Sequence, residues 1–287
     1  MPDSIQHEPG VLYIVATPIG NLEDITYRAV RILREAGLIA CEDTRHTRKL
    51  LDHYGIEGKL VSYHEHNEAE RAQELVEKLL QGISVAQVSD AGMPGISDPG
   101  YRLIRLAIEM GIRVVPVPGP SALVAALAAS GLPTDAFEFR GFLPARSGQR
   151  RTELEQVRGA DYTVIYYEAP HRIQESMQDI AAVLGPARPI VIARELTKVH
   201  EEFLRGSAGK LAVQLRGREV KGEITILIGK ALEGEQAGSE LDLAARLQEI
   251  MREQSVDEKA ALKVLARERG VSKSEIYREL QRSNLKR

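Results

Sequence analysis

Short apolar runs alternate with amphipathic stretches along the first 130 or so residues. Val11–Ala16, Leu38–Cys41, Leu60–Tyr63, Ser84–Val88 and Arg113–Val117 are largely apolar without strict alternation, the pattern of strands buried on both faces. A helical stretch follows each. Ile25–Ala36 has Asp24 as its expected N-cap and Gly37 as its stop; a basic helix runs to Tyr54 and halts at Gly55. Asn67 opens a helix in which Ala72, Leu75, Val76, Leu79 and Leu80 form one stripe. Tyr101–Glu109 and an Ala/Leu-rich segment ending at Ser130 complete the set. Such β–α alternation predicts a parallel sheet covered by helices on both faces.

After Gly131-Leu132-Pro133-Thr134 the pattern changes. Phe137–Phe142, Thr163–Tyr167, Pro189–Leu196, Glu201–Arg205 and Glu223–Ile228 read as strands, with helices around Thr152–Val157, Ile173–Leu184 and Lys210–Leu215. Several of these strands are too close in sequence for a crossover helix, so the second sheet is expected to be antiparallel or mixed. Leu232–Glu240, rich in Gly, Glu, Gln and Ser, reads as a linker. Leu241–Glu253, Asp257–Arg269 and Lys273–Arg282 then read as helices, the last two joined by Gly270-Val271-Ser272 at helix-turn-helix spacing. The expected domains are therefore 1–131, 132–231 and a helical tail, 241–287.

The connection Val88–Gly100 stands out. It holds three glycines, two prolines and two aspartates, far more than a strand-to-helix turn needs. Proline stiffens such a loop while glycine leaves its main chain open to a ligand. Loops at the carboxyl ends of parallel strands are where small ligands bind. Thr17–Asn21, Glu42-Asp43-Thr44-Arg45 and Pro118–Ala122 fall at the same edge.

Composition narrows the chemistry. The 287 residues are 43% hydrophobic and 28% charged, the balance of a soluble globular chain. Cys41 is the only cysteine, which excludes a disulfide framework and a cysteine zinc site. His64 and His66, read as extended chain, would point to opposite faces and not share a metal. The first ten residues are polar and no run is long and apolar enough to span a bilayer, so a cytoplasmic protein is expected. Net charge is −3, but Asp257–Arg287 carries nine Lys/Arg against five Asp/Glu, so the basic tail suits an anionic partner. No G-x-G-x-x-G follows the first strand, and neither a P-loop nor a G-x-S-x-G elbow is present. Group transfer from an organic donor remains.

Taken together, Ala16-Thr17-Pro18-Ile19-Gly20-Asn21-Leu22, Cys41–Arg45, Ser89–Gly100 and Pro118–Ala122 resemble the tetrapyrrole-methylase superfamily. Tyr167–Arg172, Ala193–Lys198, Gly222–Thr225 and the tail narrow the resemblance to the ribosomal RNA small-subunit methyltransferase I family. Met93 departs from it, since threonine is usual there. The resemblance implies an α/β, two-domain tetrapyrrole-methylase-like fold (parallel αβα sandwich plus mixed-sheet domain) with a helix-turn-helix-like tail. It implies S-adenosylmethionine as cofactor, no metal, a homodimer, and 2′-O-methylation of a cytidine in the decoding region of 16S rRNA, free or in the 30S subunit. Asp90, Ala91, Gly92, Pro94 and Ser97, with Ser121 and Ala122, are then expected at the methionine end of the donor. Tyr167, Glu168, Ala193, Arg194, Glu223, Ile224 and Thr225 are expected around its nucleoside.

A ribose hydroxyl is a weak acid and needs a base or a nearby cation. Glu42, Asp43, Arg45, Glu195 and Lys198 are the candidates, with Asp43 and Arg45 favoured for orientation and Lys198 near the ribose. As a base, Lys198 needs a lowered pKa, expected from a dry cleft beside Arg194. RNA contacts are expected from Arg45, Arg48, Lys49, Arg146, Arg150 and Arg151, and from Lys273, Arg278, Arg282, Lys286 and Arg287 in the tail. Two other readings are a tetrapyrrole C-methyltransferase of the same fold and a ligand-sensing DNA-binding regulator. The first turn, Thr-Pro-Ile-Gly-Asn where tetrapyrrole enzymes usually have Gly-x-Gly-Pro-Gly, argues against the former. The shortness of the tail argues against the latter.

Overall fold

Five apolar runs form one parallel sheet: β1 (Leu12–Val15), β2 (Leu38–Cys41), β3 (Leu60–Ser62), β4 (Val85–Gln87) and β5 (Val114–Val117), in the order β3-β2-β4-β1-β5. All of its pairings are parallel, with Leu12 opposite both Val85 and Val114. This computed structural model describes residues 8–232, 247–248, 250–252, 256–269, 273, 276–277 and 280.

Side chains alternate across the sheet and feed two cores. Leu12, Ile14, Leu38, Ala40 and Val85 pack with α3 (Glu68–Leu80) and α4 (Tyr101–Glu109). Val15, Ile39, Cys41, Ala86 and Val88 pack on the other face with α1 (Tyr27–Glu35) and α2 (Thr44–His53). The last helix of this half is α5 (Ala122–Ser130).

Local chemistry changes two expected caps. Asp24 ends a 3-10 turn, Leu22–Asp24, and Thr26 caps α1 by accepting from the Ala29 amide at 3.1 Å. Asn67 precedes α3 as expected, but its amide oxygen accepts from the His64 N–H at 2.9 Å and not from the helix. The chain turns there, so the expected alternation of His64 and His66 is absent and their rings lie 5.8 Å apart.

The second sheet runs β6-β7-β10-β8-β9 and is mixed. Its strands are β6 (Phe137–Phe142), β7 (Thr163–Glu168), β8 (Pro189–Arg194), β9 (Glu202–Ser207) and β10 (Ile224–Ile228). Between them lie α6 (Ser147–Gln156), α7 (Ile173–Leu184) and α8 (Ala208–Gln214). In the tail, α9 (Glu258–Arg269) is capped by Asp257, and Leu247, Ile250, Ala261, Leu262, Leu265 and Ile276 form a small core of their own.

The chain divides into two compact units. The first is Met1–Ser130 together with Ala193–Phe203 and Glu223–Thr225; the second is the remainder. Two late segments thus complete the first half.

Candidate active site

Because β1 and β4 are neighbours, the loops at their carboxyl ends meet. Thr17 and Gly92 exchange main-chain hydrogen bonds of 2.9 and 3.0 Å, and the Thr17 hydroxyl donates to the Ser89 carbonyl at 3.0 Å. Gly92 has φ 78°, and a Cβ there would lie 3.6 Å from Ile19 and 3.8 Å from the Pro120 carbonyl. The loops after β1, β4 and β5 therefore converge on one buried glycine. Ser97 holds φ 62°, a left-handed conformation uncommon for a non-glycine residue.

Below the loop sits Gln87, 1% exposed at the end of β4. Its side-chain amide donates to the Pro99 carbonyl at 3.0 Å, and a Cβ on Gly100 would come within 2.5 Å of it. Sequence reasoning missed this peg, whose one signal was an amide inside an apolar run. Met93 packs against the α3/α4 core, which accounts for an apolar residue at that position.

Four carboxylates gather at the same edge. Asp43 caps α2, accepting from the Arg45 amide at 2.8 Å and from its guanidinium at 2.8 and 3.2 Å. These Arg45 hydrogen bonds hold the Asp43 carboxyl well below the usual range. The Asp43 N–H in turn donates to Asp90 at 3.2 Å. Burial, with Glu42 and Asp90 nearby, pushes Asp98 up to about 6 against the pull of the Ser89 hydroxyl. Burial likewise raises Glu42, helped by Asp90 and Glu65 and opposed by His64. A cation bound here would relieve this crowding. Among the described residues, no group of His, Cys, Asp or Glu stands where it could hold a metal ion.

The returning segment 195–201 carries Lys198 into the first unit. Glu195 (φ 50°) and Thr197 (φ 65°) are left-handed, so the only non-glycine residues with positive φ among those described are these two and Ser97. The Lys198 ammonium donates to Glu195 at 2.9 Å and to Glu223 at 3.2 Å. Its stem lies across Gly20: a Cβ on that residue would be 2.6 Å from Cε and closer still to Cγ. Burial works against the charge, but the two carboxylates outweigh it and the pKa is raised. The lowered pKa expected of a lysine base is therefore contradicted.

The other expected residues are dispersed. Ser121 and Ala122 open α5 beside the convergence point, where the Ser121 carbonyl accepts from the Ala125 N–H. Ala193, Ile224 and Thr225 are buried within their strands, and Arg194 is held by Glu202 at 3.0 Å. In the second unit, the Glu168 carboxylate is enclosed by Arg172, Ser176 and the Ala169 N–H, while the Tyr167 ring packs on Phe139. Arg150, expected to face RNA, is fully buried instead. α6 starts five residues before its expected position, at Ser147, turning Arg150 inward onto Asp179 at 2.7 Å. Arg146 and Arg151 are exposed, as are Arg45, Arg48 and Lys49. Lys273 is half-buried, while Arg278, Arg282, Lys286 and Arg287 lie outside the described residues.

Residues 11–212 match the tetrapyrrole (corrin/porphyrin) methylases. Over 273 residues the chain is 48% identical to the ribosomal RNA small subunit methyltransferase I of Halalkalibacterium halodurans, covering 94% of each. The chain belongs to that family. Another ribosomal RNA small subunit methyltransferase I, from Escherichia coli O157:H7, is 45% identical with 96% of each chain covered. Among solved structures, uroporphyrin-III-C-methyltransferase from Thermus thermophilus aligns with TM-score 0.53 at 21% identity, covering 79% of this chain and 98% of that one. A diphthine synthase aligns with TM-score 0.60 at 16% identity, covering 79% and 93%. Those two share the fold with this member of the ribosomal RNA small subunit methyltransferase I family. No helix among its described residues is long and apolar enough to cross a membrane.

Proposed function

We propose that this protein methylates small-subunit ribosomal RNA, transferring a methyl group from S-adenosylmethionine to a cytidine 2′-oxygen in the decoding region. The observation that carries the reading is near-full-length identity to enzymes named ribosomal RNA small subunit methyltransferase I. The site supports it. S-adenosylmethionine fits the sheet edge on two counts: the loops after β1, β4 and β5 converge there, and the carboxylates suit a ligand carrying a sulfonium and an ammonium. When bound, it supplies an electrophilic methyl group. Asp90, Ala91, Gly92, Pro94, Ser97, Ser121 and Ala122 hold its methionine end; Ala193, Arg194, Glu223, Ile224 and Thr225 lie by its nucleoside.

Glu42, with its raised pKa, takes the proton of the 2′-hydroxyl. Lys198 stays charged between Glu195 and Glu223 and steadies the developing negative oxygen. Asp43 and Arg45 are occupied with each other and set the first turn of α2. The test is incubation with radiolabelled S-adenosylmethionine and small subunits from a strain lacking this gene. Label on the 2′-oxygen of one decoding-region cytidine is the expected result. Label absent from RNA while the donor still binds overturns the reading and returns attention to tetrapyrroles.

A further inference from the structure

The two helical layers of the first unit differ in charge. α1 and α2, which share one face of the sheet, carry six Lys/Arg against two carboxylates; α3 and α4, on the other face, carry four against five. The chain as a whole is at −3, so the +4 of the α1/α2 layer is a local concentration. Tyr54, the residue that follows α2, links the two helices at their ends. Arg34 donates to the Tyr54 carbonyl at 2.8 Å, and the Tyr54 hydroxyl donates to the Leu22 carbonyl.

The outward face of α1 follows from its burial. Ala29, Ile32 and Leu33 face the core, leaving Tyr27, Arg28, Arg31, Arg34 and Glu35 outside. Arg31 is paired with Glu35 at 2.8 Å, but among the described residues Arg28, Arg34, Arg48 and Lys49 pair with no carboxylate, Arg34 and Arg48 donating instead to the Tyr54 and Gly58 carbonyls. Tyr27 is 97% exposed, so its ring contributes almost nothing to packing. In a parallel βα unit the helix begins at the carboxyl edge of the sheet, and Tyr27 opens α1 seven residues after Gly20, where Lys198 lies.

An uncovered aromatic ring beside unpaired cations is the chemistry that holds a single-stranded nucleic acid: bases stack on the ring and phosphates meet the cations. We propose that the α1/α2 layer is the track for the RNA strand flanking the methylated nucleotide. Tyr27 stacks on a base, and Arg28, Arg48 and Lys49 meet phosphates. The proposal rests on RNA being the substrate, and it names a surface on the body of the enzyme, separate from the helical tail.

Affinity of the full-length protein for small subunits, measured against salt, tests it. Tyr27→Ala should weaken binding roughly tenfold while Tyr27→Phe, which keeps the ring, stays near wild type. Arg28→Ala and Lys49→Ala should each lower the salt slope by about one. Arg105→Ala on α4, already paired with Glu109, should leave the slope unchanged. Affinity for S-adenosylmethionine should be the same in every variant. Wild-type protein that neither binds nor methylates small subunits would overturn the substrate reading itself. Wild-type protein that binds, with Tyr27→Ala and Arg28→Ala binding equally well, would overturn the track alone. So would a fall in oligomeric mass in Tyr27→Ala, which would assign the face to a second copy of the chain.

Discussion

Gly20 and Lys198 lie 178 residues apart and meet as a groove and the rod that fills it. Gly20→Ala places a methyl 2.6 Å from Cε, where carbon–carbon contact prefers about 3.5–4.0 Å. The stem must retreat by roughly 1 Å, which takes the ammonium out of hydrogen-bond range of Glu195, now at 2.9 Å. Lys198→Met keeps a stem over the groove but removes the charge. Each change forfeits the same bond. Its value is about 1–2 kcal/mol, since both partners are largely shielded, whereas the link to the 71% exposed Glu223 adds only tenths.

Each single variant should therefore lower Tm by about 2–8 °C, and the double variant should fall short of the sum by a coupling of about 1 kcal/mol. Turnover should follow the same logic. A displacement near 1 Å at a reacting group can lower rate by about a hundredfold, so Gly20→Ala and Lys198→Met should each lose one to two orders of magnitude and the double variant no more. Calorimetry and single-turnover methylation read the two arms. Additive Tm losses, or wild-type turnover in Gly20→Ala, would show that the groove does not position the lysine.

Asp98 is protonated more readily in the folded chain, near pH 6, than its ordinary value of 3.8. The fold therefore binds this proton more tightly, and stability falls as pH rises from about 4 through 6 and stays lower above. Asp98→Asn should flatten that decline in a Tm-against-pH series; an unchanged curve would acquit Asp98. Arg150→Met strands the Asp179 carboxylate in the second unit, for an expected loss of about 3–5 kcal/mol in urea unfolding, while Arg151→Met changes little. A loss under 1 kcal/mol would contradict the buried pair. Gln87→Met removes the Pro99 bond but also an unpaired buried amide oxygen, so stability should move by less than about 1.5 kcal/mol. Affinity for S-adenosylmethionine should still drop about tenfold, and calorimetric binding at wild-type strength would show the peg to be dispensable.

Local signals read well from the chain. Buried strands announce themselves as apolar runs, and Phe137–Phe142 is occupied by β6 end to end. The Gly/Pro/Asp loop after β4 was recognisable because no ordinary turn needs its composition. Competition between neighbouring signals blurred the rest: Asp24 and Thr26 both suit an N-cap, and the hydroxyl one residue before α1 prevails. Arg150 looked exposed because Arg150-Arg151 resembles a solvated helix start, whereas an earlier start at Ser147 turns one arginine in and the other out. Contacts between distant positions left no local trace. Nothing near Lys198 indicates that Glu223 and Gly20 hold it, so its charge state was misjudged.

The two late returns of the chain into its first unit have a temporal meaning. During synthesis the parallel sheet can assemble once Ser130 has emerged, but Lys198 follows only 68 residues later and its partner Glu223 only 93 residues later. At translation rates of about 5–20 residues per second, the wait for Glu223 is roughly 5–20 s. For that time the nascent protein has a donor loop without its complete lysine strap. An enzyme proposed to modify ribosomes is thus born incomplete on one, and becomes competent only when most of its own chain has been made.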